Sequence, residues 1–111
     1  MTTTPPRRPT AADIELLAFA QQAELAARDL FAAAADNGVG GDQQASIACI
    51  AAHHDAASQS ISALIGRKAT QARLDSLFVD NRNAFLKDAT FAPAAHSLEN
   101  TLVATHKSLL A

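Results

Sequence analysis

The chain reads as all-α, and three features of the sequence predict it. Hydrophobic residues make up 49% of the chain, and half of them are alanine, the best helix former and a side chain that buries little area. Tyr and Trp are absent and runs of β-branched residues are few, which removes the usual material of sheets. Apolar residues recur at alternating steps of three and four, as in Ile47, Ile50, His54, Ala57, Ile61 and Leu64, the spacing of one helical face.

The elements follow in order. Residues 1–10 are rich in Thr and Pro and read as a disordered tail ahead of a single helical domain, 11–111. Thr10 is a natural N-cap, with Asp13 three residues on favouring the helix dipole. Nothing then breaks a helix over 11–37, where Asn37-Gly38 supplies the stop. After a short turn at Val39-Gly40-Gly41, Asp42 caps a second helix over 42–66, and so short a link makes an antiparallel hairpin. Thr70 caps a weaker crossover helix, 70–88, which carries Leu74, Leu77, Phe78, Phe85 and Leu86 and has a soft spot at Asp80–Asn83. A further long helix occupies 92–111, with Pro93 in its first turn and Leu98, Glu99, Leu102, His106 and Leu109 along it. No cap or glycine closes that helix, which reads as though one more element belongs to the assembly.

Composition excludes several functions. Net charge is −2, and no basic stripe with interleaved aromatics exists, so nucleic acid is not an expected partner. The most apolar stretch is interrupted by Asp42, Gln43, Gln44, His53, His54 and Asp55, so no membrane span is expected. Arg7 and Arg8 are followed by no apolar segment of the signal-peptide kind. A cytoplasmic location is expected if Met1 is the native start, and an exported one if Met1 heads a mature chain. Cys49 has no partner for a disulfide, and its apolar neighbours suggest a buried thiol. There is no Ser-His-Asp set, no phosphate-cradling glycine loop and no paired cysteine, so the chain reads as non-catalytic rather than as an enzyme.

Two residues interrupt apolar faces. His54 sits inside the stripe of the second helix, and Glu24 lies between Leu17 and Phe31 on the first. A titratable group facing a core needs a hydrogen bond, an opposite charge or a metal. For Glu24 a ready partner is Arg28, four residues on in the favourable order. His53 is about 100° around the helix from His54, so the two do not grip one ion, and His53 reads as a surface or interface residue. His106 lies roughly 10 Å along the axis from Glu99 and reads as a bundle-edge residue, while His96 reads as exposed.

The segments Gln21–Phe31, Ala51–Asp55 with Leu64–Gly66, and Ala95–Thr101 resemble the first three core helices of non-cage ferritin-like domain proteins. The resemblance implies an up-down bundle of three long helices and a crossover helix, with the fourth bundle helix absent or supplied by a partner. It also implies Glu24, His54 and Glu99 as metal ligands, for iron or for zinc or manganese. The family's carboxylate three residues before the histidine is here Ala51, which ligates nothing. The expectation is therefore a degenerate metal site without a cofactor, in a module that binds a protein partner or a second copy along an open apolar groove. The alternative is a metal-binding protein, di-iron or mononuclear iron or zinc, of redox or iron-handling type.

Overall fold

The computed structural model describes residues 10–66 and 69–110, with side chains through Lys107 in its last helix. The expected tail at 1–9, Ala111 and the Leu109 side chain lie outside the described residues. All regular structure is helical there: α1 spans Ala11–Asp36, α2 Gln44–Ile65, α3 Asp75–Phe85 and α4 Asp88–Leu110, with one 3-10 turn at Gly41–Gln43.

Local chemistry fixes both ends of α1. Thr10 Oγ1 accepts from the Asp13 amide at 3.1 Å, and the Asp13 carboxylate accepts from the Thr10 amide at 3.0 Å, a reciprocal capping box. At the other end Gly38, at φ 75°, lets the chain turn back. Its amide reaches the Ala35 carbonyl and that of Val39 reaches Ala34, while the Val39 side chain is buried.

The second helix starts later than its sequence suggests. Asp42 does not cap it, because the 3-10 turn takes Asp42 as an interior position and α2 begins at Gln44. Gly40 earns its place sterically: at φ 86°, an added Cβ would meet Ile47 Cδ1 at 2.7 Å. The buried stripe of α2 is Ile47, Ala51, His54, Ser58, Ile61 and Ile65. Leu64, expected on that face, is exposed, since the seam steps by four from Ile61 to Ile65.

The crossover is shorter than the 70–88 expected. The Gln21 side-chain amide donates to the Thr70 carbonyl at 2.6 Å and accepts from the Thr70 amide at 3.2 Å. That clamp, with a Leu74 amide to Gln22 carbonyl bond at 2.9 Å, holds 70–74 against α1 and out of any helix. Thr70 consequently caps nothing; its hydroxyl accepts from the Ala72 amide in a local turn, and α3 begins only at Asp75. The Asp80–Asn83 segment is helical. The last helix begins at Asp88 rather than at 92, and Asp88 Oδ1 accepts from the Gly40 amide at 2.8 Å. Pro93 therefore falls in the second turn, where it leaves only the carbonyl of the exposed Ala89 without its helical donor.

Contacts give the directions. α2 runs antiparallel to α1, with Ala20 beside Ile61 at one end and Phe31 on His54 further along. α3 runs parallel to α1, from Gln22 to Phe31, and α4 returns antiparallel, from Phe31 to Glu24. Alanines at 20, 23, 26, 27 and 34 are almost fully buried, which brings the α1 and α2 backbones together along their length. Two apolar clusters result. The larger contains Leu30, Phe31, Ile47, Phe85, Leu98 and Leu102, and the smaller Ala20, Ile61 and Ile65 with Ile14 and Leu17 against them. None of the described helices is long and apolar enough to cross a membrane.

Candidate functional site

Between those two clusters the interior is polar. Glu24 on α1 is 3% exposed and His54 on α2 is 8% exposed. His54 Nδ1 is hydrogen-bonded to Glu24 Oε2 at 2.5 Å and Nε2 to Glu99 Oε1, on α4, at 2.7 Å. The other Glu24 oxygen, Oε1, accepts from His106 Nε2 at 2.8 Å. Phe31 lies against the imidazole face, with ring centroids 5.4 Å apart and planes 17° from parallel. The result is one continuous chain, Glu99–His54–Glu24–His106, that leaves α4, crosses α2 and α1 and returns to α4 two turns later.

The electrostatics follow from the contacts. Burial alone would push His54 toward its neutral form, but two carboxylates in hydrogen bonds outweigh it, so its pKa is raised above the ordinary histidine value. A carboxylate on each ring nitrogen thus favours the protonated ring over the neutral one. No buried side-chain polar atom among the described residues lacks a partner.

The structure brings Glu24, His54 and Glu99 together, and it adds a fourth member. His106 is not a bystander at the bundle edge. It is two turns from Glu99, too far to share a ligand with it, yet Glu24 has two oxygens and His106 takes the second. The heptad spacing of Glu99 and His106 on one face was the signal available for this. Arg28 does not pair with Glu24; it points to the flank, where it binds Asp29 at 2.9 Å and Asp55 at 3.1 Å. Arg73 joins the same flank through Asp29 at 3.0 Å, tying the crossover to α1. Cys49 is exposed rather than buried, with its sulfur 3.8 Å from His53 Nε2 on the outer face of α2.

A metal fits this arrangement poorly. Both His54 nitrogens and both Glu24 oxygens are already engaged by other side chains of the cluster, so an ion would have to displace those hydrogen bonds. Ala51, three residues before His54, adds no carboxylate. Among the described residues, no group of three or more His, Cys, Asp or Glu is placed to hold a metal ion.

The same bridge leaves a groove. α2 and α4 do not pack along their length; they meet at His54–Glu99. On one side of the bridge a cavity of about 360 Å³ opens over Phe31, Ile50, Phe91 and Ala95, with His53 and His96 at its mouth. On the other, one of about 320 Å³ opens over Leu102 and Val103, flanked by His106 and Lys107. Val103 is 50% exposed there. No family model, curated protein or solved structure matches this chain.

Proposed function

We propose that this chain is a ferritin-like helical bundle with a degenerate metal site, working as an assembly or partner-binding module rather than as an enzyme. The observation that carries the reading is the gap between α2 and α4: two helices of one domain, bridged by one imidazole–carboxylate bond, with apolar side chains left uncovered on both sides of it. A helix laid in that gap would bury Ile50, Phe91 and Val103. The ferritin-like part of the reading is supported by element order and direction. A long hairpin, a crossover and a third long helix parallel to the second are what the family's arrangement requires. The degenerate site is supported by Glu24, His54 and Glu99 satisfying one another and by Ala51 standing where a ligand is needed.

The test is dye binding and association state together. The reading predicts that purified chain either self-associates or raises the fluorescence of an apolar dye, and that Val103→Glu with Ile50→Glu abolishes both. A folded monomer that binds no dye would sink it. The alternative, a metal-binding protein of redox or iron-handling type, requires His54 to release one of its carboxylates before it could ligate.

A further inference from the structure

Resting on the groove reading above, one polar atom in the groove specifies its occupant. Glu99 sits at the midpoint, between Phe91 and Ala95 on one side and Leu102 and Val103 on the other. Its side chain is 43% exposed. Oε1 is bound to His54, whereas Oε2 meets no donor among the described residues. Any helix that covers the apolar stretches also covers Oε2. An unpaired carboxylate oxygen that loses its water is costly, so the occupant must bring a donor to that level, and a cationic donor makes the strongest bond.

We infer that the groove takes an amphipathic helix of a separate protein carrying an arginine or lysine in the middle of its apolar stripe, set to pair with Glu99. From Phe91 to Val103 the groove runs about 18 Å at 1.5 Å per residue, which calls for an occupant of roughly 12 to 15 residues. Apolar residues one and two turns to either side of the central cation would fill the two cavities. A second copy supplies no such helix from its described residues: Arg28 and Arg73 are held by Asp29, Asp55 and Asp75, Arg82 and Lys87 flank the end of α3, and Lys107 has less than one turn of α4 beyond it.

Three labelled synthetic helices of about 15 residues, identical but for a central Arg, Met or Glu, provide the probe. Binding to the full chain is followed by fluorescence anisotropy, with sedimentation recording its association state. The Arg peptide should bind at least about tenfold more tightly than the Met peptide, and the Glu peptide most weakly. Glu99→Gln should bring the Arg and Met peptides to within about threefold of each other while the helical circular dichroism stays unchanged. Ala95→Trp, which fills the groove with no cation to pair with Glu99, should abolish binding of both. Equal affinity of the Arg and Met peptides would overturn the central cation and leave the groove reading standing. Failure of all three to bind would overturn both, and a dimer that dissociates before any peptide binds would make the second copy the occupant and overturn this inference.

Discussion

The α1–α2 contact and the α2–α4 contact share a helix and behave in opposite ways. Against α1, α2 presents Ile61, Ile65 and Ala51 to alanines, and the two backbones close along their length. Against α4, it presents His54 to Glu99, and the helices stay apart with cavities on either side. Apolar contact is non-directional and improves as surfaces approach. A hydrogen bond has a fixed length and holds its partners at the distance it needs. The hairpin is therefore a core, whereas the α2–α4 pair is a strut with space beside it.

Breaking the apolar side should cost most. Phe31 is 1% exposed, meets Phe85 and Phe91 edge-on and covers His54, so Phe31→Ala should destabilise by about 3–5 kcal/mol in urea unfolding. His54→Ala should cost about 2–3 kcal/mol, because it opens a cavity and leaves the buried Glu24 with His106 alone. Glu99→Gln acts at the half-exposed end of the same chain of bonds and should cost less than about 1 kcal/mol. If Glu99→Gln instead matched Phe31→Ala, the strut would be part of the core and the contrast would fail.

The finest test is pH. His54 has a raised folded pKa, so the stability it contributes is fully present below its unfolded value of about 6.5 and is lost as pH rises through the folded value. The stability gap between the native chain and His54→Gln should therefore narrow as pH is raised from 6 toward 9. A gap that widens over that range would mean the ring is held neutral. Ile65→Ala, in the smaller apolar cluster away from the ring, changes no such group, and its cost should stay flat.

What the sequence discloses divides along the same line. The long helices are legible because period, caps and glycines are local: Thr10, Asn37-Gly38 and Gly66 bound α1 and the end of α2. Glu24 and His54 stand out because a polar residue on an apolar face needs explaining. The start of α3 is not legible, since it is set by Gln21 clamping Thr70 across 49 residues. The true partner of Arg28 is hidden for the same reason, because Asp55 comes from the facing helix. Cys49 misleads because its apolar neighbours in sequence face inward while it faces out. His106 was readable as a heptad partner of Glu99, but only the two oxygens of Glu24, placed by α1, give it something to bind.

The proposed degenerate site requires hydrogen bonds, and not an ion, to hold Glu24, His54 and Glu99 together. Metal content after reconstitution measures it directly: the full chain is incubated with ferrous iron, zinc or manganese, desalted and assayed by mass spectrometry. Less than about a tenth of an equivalent of any of them per chain is predicted. About one equivalent or more, retained in His53→Ala and lost in His54→Ala, would contradict it.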